Sequence, residues 1–411
     1  MKNIFKIAVR NLIRYKRRTL LTASLITIGV VFVLVFVSVT GSFKSIMIGE
    51  VTDSMLGHLQ VHRKGYVASI DSLPLNLNMK PKAYAKMAET LKSSPDVEAF
   101  SPRLKFGGMF SNFTETTSIR INGIYPDREF QTVPLLTSRI SEGKKTISRG
   151  EIMIPLLLAR GLKIKIGDAV VVVATNVDGS VNGKQFIVSG ILESATGPGG
   201  RDGYVHIEDA AEVLRMTELE VSEVAVRLKD FNHLHPVMQQ LEGKIAAELN
   251  KEGKPLFEVH SWEQLSPFFN IAKMIDVMTF FIKIMLIAIV LISIMNVMIM
   301  AVFERIREIG TIAAIGTLPG KIRSMFIIEG LCLGVVGTVI GDIIGGIIIL
   351  IINLTGIRYN FGRQELLLHA DILPADVLTI SIIVIIVAVA ASLQPAIKAS
   401  KMEPIEALRH V

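Results

Sequence analysis

The chain has 411 residues, of which 50% are hydrophobic, with a mean hydropathy of +0.49 and a formal net charge of +7. This composition excludes an ordinary soluble domain and favours a membrane protein. The basic residues concentrate beside long apolar runs, so we expect contact with membrane lipid and no nucleic-acid partner. The single cysteine, Cys332, excludes a disulfide within the chain and a cysteine-based metal site.

The N-terminal segment, residues 1–19, predicts an amphipathic helix on the cytoplasmic membrane surface. It contains seven lysines and arginines and no acidic residue. Apolar residues recur there at helical spacing, at Phe5, Ala8, Val9, Leu12 and Ile13. A cleaved signal peptide is the alternative, but it needs a shorter apolar region of about 7–15 residues. We therefore expect an uncleaved anchor.

Four apolar runs are long enough to cross a bilayer core of about 30 Å, which takes about 20 residues. Only helices and closed barrels satisfy their backbone in lipid, and uninterrupted runs of this kind favour helices. We assign the spans to residues 20–42, 271–303, 326–352 and 375–394.

The basic residues beside the spans predict the topology. Segments 1–19, 304–325 and 395–411 all carry lysines or arginines next to a span, which favours the cytoplasmic side. The four spans are therefore expected to lie in the inner membrane, with both termini in the cytoplasm. The long segment 43–270 and the short loop 353–374 are expected on the periplasmic side.

The periplasmic segment predicts an α+β domain. A strand–helix–strand pattern occurs early, at 58–63, 81–93 and 97–109, and again late, at 221–228, 235–250 and 256–260. Two such units favour a split ferredoxin-like lobe made of residues 43–124 and 217–270. The fold class is thus an α-helical membrane protein with four transmembrane helices and a large extracytoplasmic α+β domain.

A second lobe is predicted to be inserted over residues 125–216. Its expected elements are a helix over 154–162, strands over 169–175, 184–192 and 204–207, and a helix over 208–216. The glycine-rich stretch 197–203 is expected to be a loop, with Pro198–Gly200 at its tip.

A short charged segment, 304–325, separates the second and third spans. Apolar and small residues fall on one helical stripe there, at Ile306, Ile309, Gly310, Ile312 and Ala313. Gly316 supplies a stop, and Pro319 begins the next helix. Such a helix can pass force from a surface partner to the spans, although an ordinary inter-helix loop is the open alternative.

Three motifs carry a resemblance to a known family. The segment after the second span contains ERIREIG, then AAIG, then EG before a glycine-studded span. The chain begins with VRNLIRYKRRTLLTASLITIGV and ends with QPAIKASKMEPIEALR. Together these motifs resemble the FtsX-like permease family of ABC transporters, which includes MacB-like and LolC/LolE-like permeases, and the resemblance covers the whole chain.

The resemblance implies a permease that forms a homodimer or heterodimer and docks on a cytoplasmic ABC ATPase dimer. The positions that match the family's coupling helix are Arg305, Arg307, Glu308, Ile309, Gly310, Ala314 and Gly316. Magnesium and ATP would be bound by that partner, because every Gly-Lys pair in this chain lacks the following Ser or Thr of a P-loop. We expect no catalytic residues, cofactor or metal in this chain, and a separate ATPase polypeptide.

The third span carries two further candidate features. Glycines at small-residue spacing suit close helix packing, at Gly330, Gly334, Gly337, Gly341 and Gly345. They suit contacts among the chain's own spans or with the second permease chain, and both readings are open. Asp342 should face the bundle or a wet cavity, and an ion pair with Lys283 of the second span is one option.

The expected function is conversion of ATP hydrolysis into motion of the periplasmic domain, for extraction of lipoproteins from the inner membrane. MacB-like export of a drug, peptide or toxin through a periplasmic adaptor is an alternative. FtsX-like regulation of an envelope enzyme is another. A proton-coupled transporter centred on Asp342 is the rival from a different class.

Overall fold

A computed structural model describes residues 2–193, 201–245, 253, 255–361 and 364–403. The loop tip Pro198–Gly200, the end of the helix expected over 235–250 and the C-terminal motif beyond residue 403 lie outside the described residues. The chain divides into two compact units. The membrane unit contains the four long apolar helices, and the outer domain is built mainly from Ile46–Ala272.

The described residues form α-helices and β-strands, and most of the strands lie in the outer domain. The helices are α1 Lys2–Arg14, α2 Lys16–Val51, α3 Pro81–Lys92, α4 Pro126–Thr132, α5 Leu156–Gly161, α6 Ile207–Val213, α7 Leu234–Ile245, α8 Trp262–Leu265, α9 Phe268–Glu304, α10 Ile306–Ala314, α11 Pro319–Thr355 and α12 Pro374–Ser400. The strands are β1 Leu59–Arg63, β2 Val97–Ser111, β3 Thr116–Ile124, β4 Ile140–Gly143, β5 Glu151–Pro155, β6 Ala169–Thr175, β7 Val181–Leu192, β8 Asp202–His206, β9 Glu223–Leu228, β10 Phe257–Ser261, β11 Arg358–Phe361 and β12 Gln364–Leu367.

Four helices of the membrane unit, α2, α9, α11 and α12, are long and apolar enough to cross a bilayer. All are longer than the apolar runs that predict them, and the 37 residues of α9 span about 55 Å at 1.5 Å per residue. The amphipathic helix is shorter than the predicted segment 1–19. It ends at Arg14, and after the turn at Tyr15 the first span begins at Lys16, four residues before its apolar run.

One half of the outer domain is an antiparallel sheet with the order β10-β1-β9-β2. Helices α3 and α7 cover it, and their buried Leu91 and Leu241 share a hydrophobic cluster with Leu59, Val61 and Val226 of the sheet. Burial of this apolar surface holds sheet and helices together.

The other half is a six-stranded ring that shares β2 with the first sheet. Successive pairings run from β2 through β3, β8, β5, β7 and β6 back to β2. One hydrophobic cluster takes residues from all six strands, among them Phe106, Ile121 and Phe186. The sequence places β3 in the first lobe, whereas the structure packs β3 and the end of β2 with the inserted segment.

The helix expected over 154–162 begins later than the sequence suggests. Ile152 and Ile154 are fully buried in β5, and α5 starts at Leu156 after Pro155. A short apolar run fits a buried strand and a buried helix equally well by periodicity, so the sequence pattern does not separate the two.

A set of buried charges, the outer charge cluster, joins β2, β9 and α4 within the outer domain. Arg103 Nη2 lies 2.6 Å from Glu129 Oε1, and its Nη1 lies 3.0 Å from Glu223 Oε1. The Lys105 ammonium lies 2.8 Å from the same Glu223 oxygen. Burial opposes ionisation of Glu223, but the charges of Lys105 and Arg103 hold the pKa of this carboxyl well below its usual range.

Candidate functional site

The short helix α10 presents one face to the solvent and packs the other against the spans. Ile309 and Gly310 are buried, while Arg307, Glu308 and Ala314 are exposed. Ile312 is exposed as well, although the sequence places it on the apolar stripe. At 3.6 residues per turn, Ile312 lies about 160° around the helix from the buried Gly310 and therefore falls outside the buried face.

Apolar side chains continue this exposed face beyond the helix end. Ile315 is 79% exposed and Leu318 is 64% exposed. Between them Gly316 adopts a left-handed φ of +93°, a conformation that favours glycine and reverses the chain before Pro319 starts α11. Exposed apolar residues beside the charged Arg307 and Glu308 are typical of a surface that binds another protein.

A buried ion pair fixes the start of α10. Arg305, between α9 and α10, is 2% exposed, and its Nη1 lies 2.9 Å from Glu329 Oε1 of α11. Asn11 of α1 donates a hydrogen bond to the same Glu329 oxygen at 2.8 Å. The Arg305 guanidinium also lies over the ring of Tyr15, 4.9 Å from its centroid. These four residues, the junction cluster, join α1, the α9–α10 junction and α11.

Two ion pairs at the surface lie close to the junction cluster, one between α1 and α10 and one between α2 and the end of α9. Arg14 lies 3.2 Å from Glu308, and Arg18 lies 2.9 Å from Glu304. Exposed pairs of this kind contribute about 0–1 kcal/mol each, because water screens the charges. Breaking a buried pair by removing one partner costs about 3–5 kcal/mol. The junction cluster therefore provides the stronger polar link, and the surface pairs add to it.

The sequence-based reading includes Arg305 but omits its partners. Glu329 belongs to the EG motif, and no pattern in the sequence points to Asn11 or Tyr15. One signal was available: α11 contains two acidic residues in an apolar run, Glu329 and Asp342, and a carboxylate in a span needs a partner. Nothing in the spacing identifies Asn11, which is 318 residues away along the chain.

The five glycines of α11 pack against helices of the same chain. An added Cβ at Gly330 or Gly334 would lie 2.6 Å from an atom of Ser392 or Ala388 on α12. The other three meet α2, where a Cβ would lie 2.7 Å from an atom of the facing side chain: Gly337 against Ile26, Gly341 against Val30 and Gly345 against Leu34. Within the described residues, all five glycines therefore face side chains of the same chain.

Asp342 is held by a serine. The Ser381 hydroxyl on α12 donates a hydrogen bond to Asp342 Oδ2 at 2.8 Å. Lys283 is partly exposed on α9 and forms no ion pair within the described part of the chain. Within the described residues the suggested Asp342–Lys283 pair is therefore not formed, and the neighbouring helix α12 supplies the polar partner of Asp342 instead. Across the described residues, no group of three His, Cys, Asp or Glu side chains could hold a metal ion.

The architecture defines a class of protein. Four apolar helices, a short exposed helix between the second and third of them and a large sheet domain between the first and second are typical of a membrane permease subunit. Residues 280–404 match the family model of the FtsX-like permease C-terminal domain, and residues 19–244 match that of the MacB-like periplasmic core domain. The second match alone covers more than half of the chain. The chain therefore belongs to the FtsX-like permease family of ABC transporters, with a MacB-like periplasmic core domain.

Individual proteins are similar to this chain over different shares of their length. The lipoprotein-releasing system transmembrane protein LolC of Neisseria meningitidis serogroup B is 23% identical over 412 residues, which cover 95% of this chain and 94% of that protein. The macrolide export protein MacB of Nitrobacter winogradskyi is 26% identical over 234 residues, or 56% of this chain and 34% of that protein. The crystal structure of the periplasmic region of MacB from Actinobacillus actinomycetemcomitans has a TM-score of 0.35 and 12% identity, over 53% of this chain and 92% of that one.

Proposed function

We propose that this chain is the permease subunit of an ABC transporter in which a separate cytoplasmic ATPase dimer drives extraction of lipoproteins from the inner membrane. The cargo is suggested by the similarity to LolC, which extends over nearly the full length of both proteins. Coupling to an ATPase is suggested by α10, whose exposed face is attached to the spans through the buried Arg305–Glu329 pair.

In this mechanism α10 and both termini lie in the cytoplasm, and the outer domain lies in the periplasm. Closure of the ATPase dimer would move the exposed face of α10, where Arg307, Glu308 and Ala314 would contact the ATPase. Ile309 and Gly310 would carry the motion inward, since both are buried. The junction cluster would pass it to α11 and α1. The chain enters and leaves the outer domain through the helices α2 and α9, which would then shift that domain.

The proposal includes the finer fold of the outer domain, a split ferredoxin-like lobe. Its support is the strand order. Taken along the chain, β1, β2, β9 and β10 are the first to fourth strands of two strand–helix–strand units, and the antiparallel sheet orders them fourth, first, third, second. The six-stranded ring would be the inserted lobe between the second and third of these strands.

A second candidate function is MacB-like export with a periplasmic adaptor. The match of residues 19–244 to the MacB-like periplasmic core domain favours it, because that domain family is named for the exporter. FtsX-like regulation of an envelope enzyme is the remaining family alternative. In each case the partner would be a second copy of this chain or a related permease.

Purification of the full-length chain from its own membranes distinguishes these functions. We expect an ATPase subunit to co-purify, together with diacylated or triacylated lipoproteins that ATP releases from the reconstituted complex. A co-purifying adaptor and ATP-dependent export of a soluble solute, with no lipoprotein bound, would favour the exporter. Recovery of the chain without an ATPase from intact membranes would contradict the permease proposal as a whole.

A further inference from the structure

An apolar groove of about 750 Å³ runs along the membrane unit between α11 and the elbow where α1 meets α2. Its walls include Phe5, Val9 and Ile13 of α1 and Val336 and Ile340 of α11. Several of these side chains are about half exposed, Phe5 at 53% and Val336 at 48%, so the chain itself leaves the groove open.

The groove has the length of one acyl chain in one leaflet. Its wall on α11 extends from Leu331 to Ile340, which is about 14 Å at a helical rise of 1.5 Å per residue. The hydrocarbon core of a bilayer is about 30 Å thick, so one leaflet is about 15 Å deep. A groove of this length, in helices that cross the membrane, matches the depth of a single leaflet.

A positive charge stands at the surface end of the groove. Among the described residues, Lys16 is the one charged residue that lines the groove, and it is the first residue of α2. Within the described residues Lys16 forms no ion pair, whereas its neighbours Arg14 and Arg18 are paired with Glu308 and Glu304. No acidic residue of the described part of the chain lines the groove, so its electrostatics favour an anionic group beside Lys16.

We propose that this groove binds an anionic phospholipid of the leaflet on the α10 side of the membrane. One acyl chain lies along α11, and the phosphate group pairs with Lys16. The opposite side of α1 is attached to Glu329 through Asn11, so a bound lipid stabilises α1 against α11 beside the junction cluster. The lipid site depends on neither the ATPase nor the cargo.

Native mass spectrometry of the full-length chain, in the assembly in which it purifies, tests this site. The protein is taken from nanodiscs with equal amounts of phosphatidylglycerol and phosphatidylcholine. We expect about fivefold preferential retention of phosphatidylglycerol, the ratio expected for one lysine near an anionic headgroup. Lys16→Gln should abolish this preference, and Val336→Trp, which fills the groove, should remove retention of both lipids.

Two matched controls accompany these variants. Lys283→Gln removes a lysine of another span, and Ile347→Trp introduces the same side chain at an exposed position of α11 that does not line the groove. Both should retain lipid as the unmodified protein does. Equal retention of the two lipids, or an unchanged preference in Lys16→Gln, would overturn the proposal. If Val336→Trp lost its dimer but kept its lipid, the groove would have another occupant and the proposal would be overturned. Recovery of lipoprotein acyl chains from the groove would overturn it in the same way.

Discussion

Two buried charge clusters link secondary-structure elements of this protein, one between strands of the outer domain and one between helices of the membrane unit. In the outer domain Arg103 lies between Glu223 and Glu129, and backbone hydrogen bonds of the sheet already join β2 to β9. In the membrane unit Arg305 and Glu329 join helices, which satisfy their backbone internally and share no such bonds. Removing a charge should therefore lower the stability of the outer domain in the first case. In the second case it should loosen the attachment of α1 and α10 to α11.

The largest effect is expected from Arg103→Met. Without the guanidinium, two buried carboxylates lose their common partner, which should cost about 3–5 kcal/mol of the unfolding free energy of the outer domain. The single tryptophan, Trp262, is buried in that domain's core, so its fluorescence reports the transition directly in the full-length protein. Arg149→Met is the matched control, because Arg149 is 61% exposed and its ion pairs are screened by water.

The pH dependence of the unfolding free energy provides a second measurement on the same cluster. The pKa of Glu223 is lower in the folded state than in the unfolded chain, so its contribution is fully present above the unfolded value of about 4.3 and is lost as the pH falls below it. In Arg103→Met the folded pKa should rise, and the acid-induced loss of stability should become shallower. An equally steep loss in both proteins would show that Arg103 does not hold Glu223 ionised.

The next effect is expected from Glu329→Gln in the junction cluster. Glutamine keeps an oxygen for the Asn11 amide but leaves the buried Arg305 charge with only the half-exposed Glu308 carboxylate, 3.8 Å away, at a cost of roughly 3 kcal/mol. We expect α1 to detach, so that trypsin cleaves after Lys16 or Arg17 faster while the outer domain keeps its unfolding midpoint. Glu304→Gln removes only the exposed pair with Arg18 and should change little.

These two clusters also mark what the sequence did and did not predict. Apolar runs predicted the four long apolar helices, because the thickness of the bilayer sets the hydrophobic length that a span needs. The strand–helix–strand order was predicted as well, because the spacing of apolar residues within each segment is a local signal. The partners Arg305–Glu329 and Arg103–Glu223 were not predicted, since pairing across 24 and 120 residues depends on the folded arrangement. The six-stranded ring was missed because the shared strand β2 has no local signal for its second set of neighbours.

A smaller effect is expected from steric change at the glycines of α11. In Gly330→Ala the new methyl group would lie 2.6 Å from Ser392 Cβ and 3.2 Å from the Ala388 carbonyl oxygen, so α11 and α12 must separate. Overpacking of this kind costs about 1–3 kcal/mol. Gly346→Ala provides the control, since a Cβ there meets nothing within 4 Å. Equal thermal stability of the two variants in detergent would contradict close packing at Gly330.

The smallest effect is expected from Asp342→Asn. The asparagine oxygen can still accept the Ser381 hydrogen bond, so we expect a change below about 1 kcal/mol and an assembled, active complex. Ser381→Ala removes the donor instead and serves as the comparison. If Asp342→Asn assembled normally but lost transport while ATP hydrolysis continued, Asp342 would have the proton-coupled role of the rival hypothesis.

The most direct test of the proposed coupling is the stimulated ATPase activity of the reconstituted complex. Gly310 is buried in α10, whereas Gly320 is exposed at the start of α11, where an added Cβ meets nothing within 4 Å. We expect Gly310→Leu and Glu308→Lys to assemble but to lose stimulation, and Gly320→Leu to keep it. Normal stimulation in both α10 variants would contradict the assignment of α10 as the element that couples the ATPase to the spans.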